Sequence, residues 1–131
     1  MKKIGIINQP ISSLIAGLGH LDTVVVADAG LPIPLETQRI DLALAQGIPS
    51  FVDTLRVLLV EMKVEKAIVA NEMTKVSPQL YEAVKGILGG VPIETVPHEE
   101  LKDRTRSARA VIRTGEFTPY ANVILVAGVV F

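Results

Sequence analysis

Short β-branched runs recur along this chain, each the length of one buried strand and most followed by a segment with a helical pattern. Thr23–Ala27 (TVVVA), residues 66–70 (KAIVA), Ile93–Val96, Ala110–Arg113 and residues 122–126 read as strands, and residues 39–44 as a short strand or extended piece. Between them, residues 11–18 predict a short helix with Ser12 as N-cap and Gly19 as stop. Residues 53–62 place Leu55, Leu58, Leu59 and Met62 on one face. Residues 77–88 offer Ser77 as N-cap, Pro78 at the first helical position and Gly89 past the end. Residues 98–108 read as a polar-faced helix. Such alternation over short loops predicts one α/β domain over residues 1–131, a three-layer α/β/α arrangement around a mostly parallel, mixed sheet. In such sheets, sites gather beyond the carboxyl ends of the strands. That rule would bring Asp28, Asn71 or Glu72, Pro97-His98 and residues 114–120 to one edge.

Core material is aliphatic: hydrophobic residues make up 49% of the chain and aromatics only 4%. A mean hydropathy of +0.42 is high for 131 residues and needs somewhere to be buried. The longest apolar run, residues 123–131, falls short of the roughly 18 residues a membrane span requires. Asn8, Gln9 and Pro10 interrupt any signal-peptide core. Burial between subunits is therefore expected, giving an oligomer. A net charge of -1 and few aromatics argue against a nucleic-acid partner. With no cysteine, disulfides, thiolate nucleophiles and cysteine-ligated zinc are excluded.

The chain has two histidines, His20 and His98, and both fall at element junctions. Imidazole gives and takes protons near neutrality. The plain alternatives are a helix C-cap for His20 and an exposed helix-start residue for His98. Asp28 follows four apolar positions and precedes Ala29-Gly30. It is either a turn-forming residue or a carboxylate that orients His20 or grips hydroxyls. The segment Arg113-Thr114-Gly115-Glu116-Phe117-Thr118-Pro119-Tyr120-Ala121-Asn122 is dense in hydrogen-bonding groups. If it is extended, Tyr120 and Asn122 share a face suited to a polyol; otherwise its polar groups satisfy their own backbone. Residues 102–109 (KDRTRSAR) hold four basic side chains and one acidic, most simply a solvated face, with phosphate binding the lesser alternative. GxGxxG, Walker and HExxH motifs are absent, and a metal site is not expected.

Gly19-His20-Leu21-Asp22 and Val26-Ala27-Asp28-Ala29-Gly30-Leu31-Pro32, taken with residues 111–122, resemble the D-ribose pyranase family along essentially the whole chain. The sister L-fucose mutarotases share a Gly-His-x-Asp segment and a Thr-Gly-Glu turn. They resemble Ser-Asp-Ala-His-Phe-Pro where this chain has Ala27-Asp28-Ala29-Gly30-Leu31-Pro32. The resemblance implies a cytoplasmic enzyme that interconverts the pyranose and furanose forms of D-ribose without a cofactor, beside a ribose uptake system and a ribokinase. It implies His20 as proton donor, and Asp28, His98, Tyr120, Ala121 and Asn122 as substrate-binding positions. It also implies ring-shaped homo-oligomers, reported as decamers, with sites near subunit boundaries. Two other readings stand beside it: a non-catalytic ribose-binding accessory protein, and a mutarotase for another sugar such as L-fucose.

Overall fold

A computed structural model describes all residues, 1–131. Its elements run α1 (Gln9–Ala16), β1 (Thr23–Ala27), β2 (Gln38–Asp41), α2 (Phe51–Glu61), β3 (Val64–Ala70), α3 (Asn71–Val76), α4 (Pro78–Leu88), β4 (Ile93–Val96), α5 (His98–Arg104), a 3-10 turn (Thr105–Ser107), β5 (Ala110–Arg113) and β6 (Val123–Ala127). Six strands form one sheet in the order β2-β5-β1-β6-β3-β4. Strands β2, β5 and β1 are mutually parallel, as are β3 and β4, while β6 runs antiparallel to both β1 and β3. One reversed strand thus sits near the centre of an otherwise parallel sheet. Its first residue lies at the carboxyl edge of all the others.

Period-two alternation divides the core between the two faces of the sheet. Val24 and Val26 of β1 join Phe51, Leu55 and Leu58 of α2, Met73 of α3 and Val84 of α4 on one face. Val25 and Ala27 join Leu101 of α5, Leu31 and Ala108 on the other. The result is the expected three-layer arrangement, thickly covered on the first face and by little more than α5 and a loop on the second. None of its helices is long and apolar enough to cross a membrane.

Four local readings change. Helix α1 starts earlier than expected, because Asn8 rather than Ser12 is the N-cap: Asn8 Oδ1 accepts the Ile11 N–H at 3.0 Å. Pro10 then falls in the first turn, where a missing N–H costs nothing. The Ser12 hydroxyl instead donates to the Ile6 carbonyl. Helix α2 starts at Phe51 behind Ser50, whose hydroxyl accepts the Asp53 N–H. Ser77 holds the N-cap position of α4 but does not cap with its side chain; its hydroxyl donates to the Pro119 carbonyl at 2.8 Å. Helix α5 ends at Arg104, and the 3-10 turn follows.

Candidate active site

At the carboxyl edge of the sheet, β1 delivers Asp28, β4 delivers His98 through Pro97, and β6 begins just after Asn122. Asn122, wholly buried, joins these ends: its Oδ1 accepts the Asp28 N–H at 2.9 Å and its Nδ2 donates to Asp28 Oδ2 at 3.0 Å. The other carboxylate oxygen of Asp28 accepts the Gly30 N–H at 2.9 Å. The turn-forming reading of Asp28 therefore holds. Asp28 forms the turn before Gly30, and its carboxylate is held at the mouth of an open hollow of ≈ 410 Å³ with Ala29, Arg113, Glu116 and Phe117.

His98 opens α5, and its N–H donates to Glu72 Oε2 at 2.9 Å, so Glu72 does reach this edge as expected. The ring meets Tyr120 edge-on, with centroids 5.0 Å apart and planes at 81°. Its Nδ1 is buried and has no hydrogen-bond partner within the chain. A buried polar atom without a partner costs free energy, so this nitrogen is free to take a hydrogen bond from a water or a bound molecule.

The segment after β5 is held rigidly by its own polar groups. Thr114, fully buried, donates its hydroxyl to the Ala27 carbonyl at 2.7 Å. The Glu116 carboxylate accepts the Phe51 N–H and both the hydroxyl and N–H of Thr118. Burial pushes the Glu116 carboxyl up, but these hydrogen bonds outweigh it and hold it below the usual carboxylate range. Arg113 donates Nε–H to the Ala29 carbonyl and Nη1 to both oxygens of Asp41. Most of this segment's polar groups thus serve the scaffold.

Tyr120 and Asn122 do not share an extended face. Tyr120 has φ 62°, in the left-handed region, and the Asn122 N–H donates to the Tyr120 carbonyl at 2.8 Å. A non-glycine residue held there signals a surrounding structure that fixes it. The tight turn points the Tyr120 ring toward His98, with buried Ala121 between Tyr120 and Asn122.

His20 stands elsewhere. It lies in the turn before β1, at the opposite edge of the sheet from Asp28, and the five residues of β1 alone span about 17 Å. Asp28 therefore does not orient His20 within one chain, because the two flank the strand. Nor does His20 cap α1, which already ends at Gly17. Its Nε2 meets Glu65 Oε2 at 3.0 Å instead. The ring is half exposed and borders a hollow of ≈ 360 Å³ with Glu61, Lys63, Gly128 and Phe131. Sequence reasoning missed Glu65, which lies 45 residues from its partner His20; it named Glu72 for this edge but not its bond to His98, 26 residues away.

Neither edge gathers three His, Cys, Asp or Glu side chains in a metal-sized cluster. The basic stretch is spent on ion pairs: Lys102 with Glu99, Arg104 with Glu94 and Glu100, Arg106 with Glu36, and Arg109 with Asp22.

Known proteins resemble this chain along all or nearly all of its length. The sequence is 58% identical over 131 residues to a D-ribose pyranase of Chloroflexus aggregans, covering 100% of both chains. The solved structure of Bacillus subtilis RbsD complexed with D-ribose superposes with a TM-score of 0.97 at 50% identity, again over 100% of both chains. FucU from Bifidobacterium longum shares the fold, with a TM-score of 0.83 at 23% identity over 95% of this chain and 97% of that one. The sequence pattern of one family spans residues 1–130, strand β1 with its flanking His20 and Asp28 included, and so the chain belongs to the RbsD / FucU transport protein family.

Proposed function

We propose that this chain interconverts the β-pyranose and β-furanose forms of D-ribose by opening and re-closing the sugar hemiacetal. The observation that carries this reading is the full-length likeness to proteins named D-ribose pyranase. The site geometry supports it in two parts. One sheet edge offers a held carboxylate, an aromatic ring and an unpartnered imidazole nitrogen, a set suited to binding a polyol. The other offers His20 beside a hollow.

Ring opening needs one proton delivered to the ring oxygen and one removed from the anomeric hydroxyl. His20 supplies the first as general acid. Asp28 anchors a sugar hydroxyl, His98 binds through Nδ1, and the Tyr120 to Asn122 turn frames the polyol. The Asn122 amide acts by holding Asp28. Rotation of the open aldehyde and attack by the C4 hydroxyl instead of the C5 hydroxyl closes the five-membered ring. No metal, nucleotide or redox group enters this scheme, and exchange is expected to survive dialysis against EDTA.

The two half-sites lie on opposite edges of one domain, so a complete site takes His20 from one subunit and the sugar-binding edge from its neighbour. Large exposed apolar side chains at Ile4, Ile7, Val60, Val130 and Phe131 support association in a cytoplasmic homo-oligomer, with the decamer as the expected form. NMR saturation transfer on ribose tests the reading. The chain should accelerate ring exchange above the spontaneous rate, and His20→Ala should remove the acceleration while leaving assembly intact. Binding without acceleration would make the chain an accessory ribose-binding protein. Faster exchange of fucose or galactose than of ribose would move the substrate.

A further inference from the structure

The His20 ring makes its one hydrogen bond with a side chain that the sugar-binding edge does not contain. Glu65 Oε2 lies 3.0 Å from His20 Nε2. A carboxylate accepts and does not donate, so Nε2 carries the proton, and Nδ1 remains as the nitrogen free to exchange one.

Glu65 reaches this position through an irregularity in the sheet. The register of β3 on β6 shifts between Val64, opposite Ala127, and Lys66, opposite Val126, which leaves Glu65 as the extra residue of a bulge. Bulges re-aim a side chain, and here the re-aimed one turns to the imidazole. Gly128 makes room for it: a Cβ at that position would stand 3.1 Å from the Glu65 Cβ. The backbone then ties both partners down. Gly128 N–H donates to the Lys63 carbonyl, Leu21 N–H to the Ala127 carbonyl, and Ala127 N–H to the Asp22 carbonyl. Three of the other charges nearby have their own partners: Asp22 takes the Gly19 N–H and Arg109, Lys66 takes Glu94, and Glu61 takes the Ile6 N–H; Lys63 lines the same hollow without an ion pair.

We infer that Glu65 is a positioning residue for His20, fixing the Nε2–H form of the ring and presenting Nδ1 to the sugar. The inference rests on the reading of His20 as proton donor. In the forward step the imidazolium gives its Nδ1 proton to the ring oxygen. The C1–O5 bond breaks with its electron pair going to O5, and the anomeric hydroxyl loses its proton to a solvent water as C1=O forms. His20 is left neutral, with Nε2–H still donating to Glu65. Closure from the C4 hydroxyl reverses these transfers and returns the proton to Nδ1. The arrangement follows the logic of other His–carboxylate pairs, in which the carboxylate selects the tautomer and takes no proton itself.

The experiment uses assembled wild-type protein and the variants Glu65→Ala and Glu65→Asp. Nitrogen-15 shifts of the His20 ring, measured without ribose, should report the Nε2–H tautomer in wild type and a mixture in Glu65→Ala. In ribose exchange, Glu65→Ala should lose about tenfold or more in kcat, a part of what a general acid contributes, with ribose KM little changed. Glu65→Asp should recover part of the loss. An Nδ1–H ring in wild type, or wild-type kcat in Glu65→Ala, overturns the inference. Should Glu65→Ala fail to assemble, the wild-type tautomer and the Glu65→Asp kinetics decide. A wild-type protein with the Nε2–H ring but no exchange activity would instead sink the reaction assigned to the chain.

Discussion

Asn122 grips Asp28 at two points, accepting its backbone N–H at 2.9 Å and donating to its carboxylate at 3.0 Å, across 94 residues of sequence. Asn122 is fully buried, so its amide can serve Asp28 only because both ends of it are paired. Asn122→Asp would set two carboxylates against each other, and should cost about 1–3 kcal/mol of stability and weaken ribose binding. The exchanged pair Asp28→Asn with Asn122→Asp restores a donor facing an acceptor but moves the charge inward. It should recover the urea midpoint and not the ribose affinity. If the exchanged pair binds ribose like wild type, the carboxylate at position 28 does not hold the sugar.

Gly115 is where the segment after β5 crosses the turn before α2. A Cβ there would stand 2.5 Å from the Ile48 carbonyl oxygen and 2.7 Å from the Ile48 nitrogen. Both neighbours are backbone, and Gly115 N–H already donates to the Pro49 carbonyl at 2.9 Å. Gly115→Ala must therefore displace that turn, at a cost of about 1–3 kcal/mol typical of overpacking. Denaturant midpoints measure it, and an unchanged midpoint would mean that the turn yields freely.

Glu116 links acid stability to the same segment. Burial raises its carboxyl, and hydrogen bonds from Phe51 and Thr118 more than offset that. A carboxyl held below its unfolded value of about 4.3 favours the folded state above that pH and loses the contribution as pH falls through the folded value. Glu116→Gln keeps one acceptor but sets an amide NH2 toward N–H donors. It should destabilise the fold by about 1–2 kcal/mol at pH 7, and the gap to wild type should narrow by pH 3. A gap independent of pH would assign the loss to shape rather than charge.

The strands were legible because their information is local: the β-branched run of β1 and the short run of β5 are buried on both faces, and each matches its expected bounds. Helix α3 went unread because the six residues Asn71–Val76 are too few to show a period. The direction of β6 was also hidden, since an apolar run carries no polarity, and that reversal is what brings Asn122 to Asp28. Among the candidate site residues, Asp28, His98, Tyr120 and Asn122 stood out through residue type near strand ends, whereas Ala121 came only with the family resemblance. The left-handed backbone of Tyr120 and the pairing of His20 with Glu65 did not, because each depends on contacts distant in sequence. Most consequentially, sequence order set His20 beside Asp28, whereas β1 holds them at opposite edges of the sheet.

That separation gives the proposal its sharpest test. A site that takes His20 from one subunit and Asp28 from the next can be rebuilt from two defective chains. His20→Ala and Asp28→Asn would each be inactive alone. Co-expressed with different tags and purified as mixed oligomers, they place an intact His20 against an intact Asp28 at about a quarter of the boundaries if subunits assort at random. Ribose exchange should therefore return to about a quarter of the wild-type rate per site. A site contained in one chain predicts no recovery, because every chain in the mixture carries one of the two defects. Mixed oligomers no faster than the mean of the two variants would put both residues in the same subunit, and would require β1 or its flanking turns to rearrange before ribose could bind.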